Sequence, residues 1–234
     1  MAGPRRVTIL VVMAMGAEAA PIVRSMSLSV VDDAPPPMVW FEGSGLVIAV
    51  NGIDPVHRVD SIGTTPAALS TAAALARFKP DIVISAGTAG GFVSRGGYIG
   101  QVIVANGPVI HHDRRVPLGG FEAYAQGHYP TMDLQKVTER LGFTAGPCST
   151  GDSLDAPPLD LAAMDTHGTI AKDMEAAAVA GVAARSSIPF TAFKVITDLV
   201  DSPEPTAKQF MANLEVASAT LAVALPVFLT ELNG

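Results

Sequence analysis

The chain has 234 residues, of which 49% are hydrophobic and 16% are charged, and its formal net charge is −7. This composition supports a large buried core and excludes a disordered chain, and the acidic balance argues against nucleic-acid binding, which needs a basic surface to neutralise phosphates. The length suits one large α/β domain or two small ones; because there is no repeat, low-complexity tract or linker, we predict a single domain over residues 1–234.

The apolar run near the N-terminus allows two interpretations. Arg5 and Arg6 precede the run at 7–15, and Ala17-Glu18-Ala19 follows it, as in a signal peptide with a small-residue cleavage site. The buried first strand of a parallel sheet is also a continuous apolar run. We favour the strand, because Glu18 at the start of the next helix can act in the mature chain. It would be either a helix-start acid or a general base for water.

Apolar, β-rich runs recur along the chain and predict strands at 7–13, 45–50, 82–85, 101–105 and 190–195. Helical segments lie between several of them. Thr65-Pro66 predicts the start of a helix that ends at Phe78, and Asp133 can cap a second helix that ends at Leu141, before Gly142. A third helix is indicated by one helical face with Met174, Ala177, Ala178, Gly181 and Val182. Thr206 and Gln209 predict a capping box at the start of a C-terminal helix. Strands alternating with helices predict an α/β sandwich with a largely parallel sheet, whose chemistry collects beyond the carboxyl ends of the strands.

A glycine-rich segment follows the predicted strand at 82–85. In Ser85–Gly91, the glycines at 87, 90 and 91 let the backbone approach a ligand closely, and Thr88 adds a hydroxyl. The segment can equally be an ordinary tight turn. It lacks the lysine of a Walker loop and the glycine spacing of a dinucleotide fingerprint.

Two acidic residues stand where the chemistry is expected. Glu175 begins an alanine-rich helix, where it can accept hydrogen bonds from a sugar diol or face solvent at the positive end of the helix dipole. Asp198, with Thr197, follows the predicted strand at 190–195, where burial can raise the pKa of its carboxyl so that it donates a proton near neutral pH. A turn or helix cap is the alternative for Asp198, and Asp201 is interpreted as such a turn residue.

The sequence indicates neither a membrane segment nor a metal site. The apolar stretch Val216–Leu229 is too short to span a bilayer as a helix and contains Pro226. His111 and His112 are adjacent and the other histidines stand alone, without the spacing of metal ligands, and no GxSxG nucleophile motif is present. The single cysteine, Cys148, excludes an intrachain disulfide and fits a reducing compartment, so we expect a cytoplasmic protein.

Seven ordered segments together resemble one family. They lie at 12–18, 60–64, 80–92, 112–117, 149–155, 173–179 and 197–201, and include Asp173-Met-Glu-Ala-Ala-Ala-Val179 and Thr197-Asp-Leu-Val-Asp201. The ordered set resembles the 5'-methylthioadenosine/S-adenosylhomocysteine nucleosidases of the nucleoside phosphorylase superfamily, and most of all their plant-type branch. The resemblance implies hydrolysis of 5'-methylthioadenosine in methionine salvage, a three-layer α/β/α sandwich with a mixed, largely parallel sheet, a homodimer, and no metal or organic cofactor.

The resemblance also implies roles for individual residues. Asp198 would protonate N7 of the purine, and Glu18 would position and deprotonate the attacking water. Glu175 and Met174 would hold the ribose hydroxyls, and Thr88 would line the sugar and water site. The other substrate-binding residues that it implies are Gly90, Ser153, Leu154, Lys194 and Thr197. Carboxylates near the sugar suit a transition state with ribosyl-cation character, and an acid on the base helps it to depart.

Two positions depart from the common bacterial pattern of this family. Leu154 stands where bacterial members stack a phenylalanine on the purine, and Lys194 stands where they carry an arginine near the ribose-binding glutamate. Both substitutions look plant-type and leave open which 5' substituent is accepted. The segment 111–121 resembles the loop that a partner subunit lends to the 5' pocket, with Pro117 and Phe121 as apolar contacts.

Three alternatives remain beside hydrolysis of 5'-methylthioadenosine. A phosphorylase would want arginines around a phosphate, whereas Glu18 would repel the anion and the glycine segment contains no arginine. A hydrolase of another 5'-substituted nucleoside, such as aminodeoxyfutalosine, would share the acidic trio. A non-catalytic nucleoside-binding protein would be expected to lose the acid or the base.

Overall fold

Residues 7–232 are described by a computed structural model, in which eleven strands form one sheet flanked by helices. Arg5 and Arg6, on which the signal-peptide alternative depends, lie outside the described residues. The strands are β1 Ile9–Met13, β2 Ser29–Val31, β3 Val39–Gly43, β4 Leu46–Val50, β5 Ile82–Gly91, β6 Val102–Ala105, β7 Ile110–His111, β8 Thr144–Gly146, β9 Cys148–Thr150, β10 Ala171–Asp173 and β11 Phe190–Leu199. The helices are α1 Gly16–Ser25, α2 Thr64–Phe78, α3 Phe121–Gln126, α4 Gln135–Leu141, α5 Pro158–His167, α6 Ala176–Arg185 and α7 Thr206–Leu232, with a 3-10 turn at Val93–Arg95.

The centre of the sheet is parallel and its margins are mixed. Strand β1 pairs in parallel with β4 and with β5, and β5 pairs in parallel with β11. Antiparallel pairs occur where β2, β3 and β4 form a meander and where β6 meets β11. Consecutive parallel strands need crossover connections, and the helices supply them.

Two separate apolar cores give the molecule three layers. Alternate side chains of a strand point to opposite faces of a sheet. Leu10 and Val12 of β1 therefore belong to one core with α2 and α6, whereas Ile9, Val11 and Met13 belong to the other with α1 and α7. The α/β sandwich with a largely parallel sheet is confirmed.

The two strands that carry the predicted site residues are longer than the sequence indicated. Strand β5 continues past Ser85 to Gly91, and β11 continues past Val195 to Leu199. The alternative interpretations, an ordinary tight turn at 85–91 and a turn or helix cap at Asp198, do not hold, because the two strands keep pairing with each other over the whole stretch. Their register shifts between Ile196 and Asp198, a local irregularity that re-aims side chains at the end of the strand.

Two predicted helix caps were also wrong. Helix α2 begins at Thr64, after Gly63, and the backbone amide of Thr64 donates to Asp152, 2.6 Å away, so Thr65 is not the cap. The Gln209 side chain does not complete a capping box with Thr206; its amide binds main-chain groups of Leu199 and Glu204.

The end of α4 follows the prediction, whereas Asp133 lies one residue before the N-cap of the helix, which is Leu134. Asp133 accepts a hydrogen bond from the Gln135 amide at 3.2 Å, and Gly142 adopts the left-handed conformation just after the helix. Such a C-terminal glycine tolerates a positive φ without the strain that a side chain would cause.

The C-terminal helix α7 is longer than the stretch Val216–Leu229 that was judged too short to span a bilayer. It has 27 residues and continues through Pro226, and by length and composition alone it could cross a membrane. Its inner face, with Leu221, Leu225 and Phe228, is buried in the core that it shares with α1 and β1. The helix therefore forms part of one outer layer of the sandwich.

Candidate active site

A cavity lies at the carboxyl ends of the central parallel strands. It is lined by Ala14, Met15, Glu18, Ile62, Ala86, Gly87, Thr88, Ala89, Gly90, Leu154, Lys172, Asp173, Met174, Glu175, Thr197, Asp198 and Phe210. The position agrees with the general rule that ligands bind beyond the carboxyl ends of strands in open α/β sheets. Eight of the residues predicted from the sequence lie on its wall, namely Glu18, Thr88, Gly90, Leu154, Met174, Glu175, Thr197 and Asp198.

Asp198 is the acid on the β11 side of the cavity. Its side chain is buried, and the Thr197 hydroxyl donates to its Oδ1 at 2.8 Å. Burial raises the pKa of the Asp198 carboxyl, while the Thr197 hydrogen bond and the positive charge of Lys172 lower it in part. A Cβ on Gly90 would lie 2.7 Å from Oδ2 of Asp198, so the space for this carboxyl depends on a glycine there. A buried carboxyl with a raised pKa can hold a proton and donate it.

Glu18 lies on the β1 and β5 side of the cavity. It is 2% exposed, and its Oε1 accepts a hydrogen bond from the Thr88 backbone amide at 2.7 Å. Gly87 has a φ of +154°, and a Cβ there would lie 3.2 Å from both carboxylate oxygens. Burial raises the pKa of Glu18, and the hydrogen bonds from Thr88 and the charge of Lys194 lower it in part. A carboxylate held in this way is a candidate general base.

Glu175 occupies the N-terminal end of α6 and faces the same cavity. Its Oε1 accepts a hydrogen bond from the Gly63 amide at 2.9 Å, which ties the start of α6 to the start of α2. Burial, with the nearby charge of Asp173, raises the pKa of Glu175 to about 7, and Lys194 lowers it in part. Met174, one residue earlier, lies beside it on the cavity wall. The free oxygen of Glu175 is available to a hydroxyl group in the cavity.

Lys194 was predicted to bind substrate, but it lies behind the cavity wall. It is 1% exposed, and its Nζ lies 2.7 Å from Oδ2 of Asp173 and 3.2 Å from the Ser85 hydroxyl. Burial alone would lower the pKa of Lys194, but Asp173 and Glu175 outweigh it and raise the pKa. The ammonium of Lys194 is engaged in this ion pair, because a buried ammonium requires a close partner of opposite charge.

Three other predicted residues also lie off the cavity wall. Ser153 is exposed and does not line the cavity, whereas its neighbour Leu154 does. Pro117 and Phe121 are outside this cavity, and Phe121 is 53% exposed. Their predicted role concerns the cavity of a second copy and stays a prediction.

Several residues of the cavity wall were not predicted from the sequence. Met15 and Ile62 lie inside segments that carried the family resemblance, and Lys172 directly precedes another. Phe210 comes from the second turn of α7, far along the chain from the other groups, and no local pattern marks it. Met15, Ile62 and Phe210 add to the apolar surface of the wall, to which Ala14, Ala86, Ala89, Leu154 and Met174 also contribute.

The histidines play no part in this cavity. None of them lines it, and burial lowers the pKa of His111 to about 4, which keeps the ring neutral. Within residues 7–232, no group of three or more His, Cys, Asp or Glu side chains is arranged to hold a metal ion. The functional groups on the wall are thus the buried acid Asp198, three further carboxylates on Glu18, Asp173 and Glu175, and the Lys172 ammonium, which suit general acid and base catalysis on a small molecule.

Comparisons with known proteins find relatives that cover nearly the whole chain. The family model described as "Phosphorylase superfamily" matches residues 8–229. The 5'-methylthioadenosine nucleosidase of Arabidopsis thaliana is 38% identical over 97% of this chain and 88% of its own length. A second Arabidopsis thaliana protein, a 5'-methylthioadenosine/S-adenosylhomocysteine nucleosidase, is 35% identical over 97% of this chain and 92% of its length. The solved apo structure of an Arabidopsis thaliana 5'-methylthioadenosine nucleosidase superposes with a TM-score of 0.95 at 37% identity, covering 99% of this chain and 98% of that one.

Proposed function

This chain belongs to the phosphorylase superfamily, and we propose that it is an N-glycosyl hydrolase that cleaves 5'-methylthioadenosine into adenine and 5-methylthioribose. The observation that carries the proposal is the meeting of Asp198, Glu18 and Glu175 on one cavity wall, from three separate parts of the chain. The relatives that cover nearly the whole chain are nucleosidases by name, and they supply the substrate class.

The proposed reaction begins with protonation of the leaving group. Asp198 gives a proton to N7 of the adenine, which makes the base a better leaving group. Burial raises the pKa of Asp198, which increases the fraction of the enzyme in the protonated form that this step requires. General acid assistance of this kind contributes roughly 10²- to 10⁴-fold to a rate.

The other two carboxylates, Glu175 and Glu18, bind the ribose and activate the water. Glu175 accepts hydrogen bonds from the ribose hydroxyls, with Met174 against the sugar. Glu18, fixed by the Thr88 amide, orients a water and takes its proton as the bond to the sugar forms. Both carboxylates also stabilise the positive charge that develops on the ribose.

Water, rather than phosphate, is the nucleophile that this cavity favours. Glu18 lies where an incoming anion would be repelled, and among the described residues no arginine lines the cavity. Phosphate recognition calls for convergent arginines or lysines, and the one lysine on the wall, Lys172, already donates to two carbonyls.

An apolar 5' substituent fits the cavity best. The side chains of Met15, Ile62 and Phe210 offer apolar surface for a methylthio group. S-adenosylhomocysteine carries a charged amino acid in this position, so we expect it to be a weaker substrate. The comparison of kcat/KM for 5'-methylthioadenosine, S-adenosylhomocysteine, aminodeoxyfutalosine and adenosine tests this. A preference for any of the other three would overturn the assignment of substrate.

We further propose that the protein acts as a cytoplasmic homodimer in methionine salvage. The segment with Pro117, Leu118 and Phe121 supports the dimer, because Leu118 and Phe121 are apolar and 61% and 53% exposed. In the dimer this segment would reach the 5' end of the partner's cavity. Sedimentation of the purified protein tests the oligomeric state, and a monomer at assay concentrations would contradict it.

A further inference from the structure

A buried lysine on the cavity wall has no role in the mechanism above. Lys172 lies on β10 and is 4% exposed, yet it reaches the cavity. Its Nζ donates to the backbone carbonyls of Ser153 at 2.6 Å and of Leu154 at 2.9 Å. Hydrogen bonds from a charged donor are shorter and stronger than neutral ones. One ammonium group therefore holds two consecutive carbonyls of an irregular segment.

That segment is the 151–157 loop, which lies between β9 and α5 and has no secondary structure of its own. Leu154 is the residue of this loop that lines the cavity, and it is 38% exposed. At its start the loop is held by Asp152, whose carboxylate accepts from the backbone amide and hydroxyl of Thr64, both at 2.6 Å. At Ser153 and Leu154 themselves, the hydrogen bonds from Lys172 are the attachment to the sheet.

The charge of Lys172 also acts on the proposed acid. Burial lowers the pKa of Lys172, and Asp198, Asp173, Asp155 and Asp160 raise it in part. Reciprocally, Lys172 lowers the pKa of Asp198, whose other neighbour with an effect is the Thr197 hydroxyl. The same ammonium therefore binds the loop and influences the charge of the group that would protonate the purine.

We propose that Lys172 is a positioning residue, which fastens the 151–157 loop and holds Leu154 against the cavity. The inference rests on the proposed function for its kinetic consequences, but not for its structural one. Loosening the loop should weaken substrate binding more than the chemical step, because the acid, the base and the ribose-binding glutamate stay in place.

The test compares Lys172→Met with Lys172→Arg and with Lys136→Met, a matched control on an exposed face of α4. Hydrogen–deuterium exchange without substrate should be faster in peptides covering residues 151–157 of Lys172→Met, and unchanged in the control. KM for 5'-methylthioadenosine should rise by roughly tenfold to a hundredfold, the effect of losing hydrogen bonds from a charged group, with a smaller change in kcat. Lys172→Arg, which keeps charge and donors, should restore most of both.

A pH profile distinguishes positioning from a merely structural role. The alkaline limb of kcat/KM reports the proposed acid, so removing the positive charge of Lys172 should move that limb to higher pH, and Lys172→Arg should leave it in place. If Lys172→Met does not fold, Lys172→Gln also removes the positive charge and can be used for the pH profile.

Two results would overturn the inference. Unchanged exchange in the 151–157 peptides would show that Lys172 does not hold the loop, and unchanged KM despite faster exchange would show that the loop does not serve the reaction. If the wild-type protein releases no adenine, the proposed function fails. The exchange experiment still decides whether Lys172 fastens the loop.

Discussion

Replacing Asp198 by asparagine removes the proton donor and changes little else in the cavity. Asparagine has nearly the same shape, and its Oδ1 can still accept the Thr197 hydroxyl that lies 2.8 Å from the carboxyl oxygen. The side chain is buried, and burial raises the pKa of the native carboxyl, so the ionised form lowers the stability of the folded state. A neutral residue should therefore leave the free energy of unfolding unchanged or slightly higher at pH 7.

The catalytic effect of this substitution should be large. Loss of general acid assistance is expected to cost roughly 10²- to 10⁴-fold in kcat, or about 2.7–5.5 kcal/mol in the activation barrier. The assay is adenine release from 5'-methylthioadenosine, with a thermal melt of the same sample. Asp201→Asn is the matched control, because the Asp201 carboxylate accepts the amides of Val93 and Ser94 outside the cavity. Near-normal turnover in Asp198→Asn, or an equal loss in Asp201→Asn, would refute the assignment of the acid.

Three further predictions concern the surroundings of the acid and of Glu175. Gly90→Ala should lower kcat strongly with little change in KM, because its Cβ would lie 2.7 Å from the Asp198 carboxyl. Steady-state kinetics of the variant and the wild type check this, and an unchanged kcat would contradict it. Lys194→Met should lower the free energy of unfolding by about 3–5 kcal/mol, since it leaves the buried Asp173 carboxylate without its ion pair. Urea titration measures the loss. A change of less than about 1 kcal/mol would contradict the prediction. Burial raises the pKa of Glu175 in the folded state from 4.5 to about 7, so the folded protein binds the proton more tightly than the unfolded chain, and this group makes the free energy of unfolding fall as pH rises through that window. Glu175→Gln should remove this pH dependence from thermal melts recorded between pH 4.5 and 7. The same pH dependence in both proteins would disprove it.

The layers of the fold and the family could be predicted from the sequence, because both depend on patterns spread over the whole chain. Apolar runs alternating with helix signals gave the sandwich, and ordered motifs gave the resemblance. The ends of strands were less predictable. The glycines and Thr88 in 85–91 look like a turn locally, but pairing between β5 and β11 keeps the segment extended. Tertiary hydrogen bonds thus overrode the local preference.

The site was predictable to the extent that its residues stand in short motifs. Glu18, Glu175 and Asp198 each lie in such a motif, and the cavity contains all three. The place of Phe210 on the cavity wall and the loop-holding role of Lys172 could not be predicted from the sequence, because both depend on which distant segments of the chain come together in the fold. Whether Lys194 would face the ligand or its ion-pair partner was also invisible in the sequence.

Hydrolysis by water is tested by incubating the purified protein with 5'-methylthioadenosine, with and without phosphate, and separating the products by chromatography. We expect adenine and free 5-methylthioribose at the same rate in both buffers, since Glu18 activates water in the cavity. A strict requirement for phosphate, with a sugar phosphate as product, would contradict it and make the protein a phosphorylase.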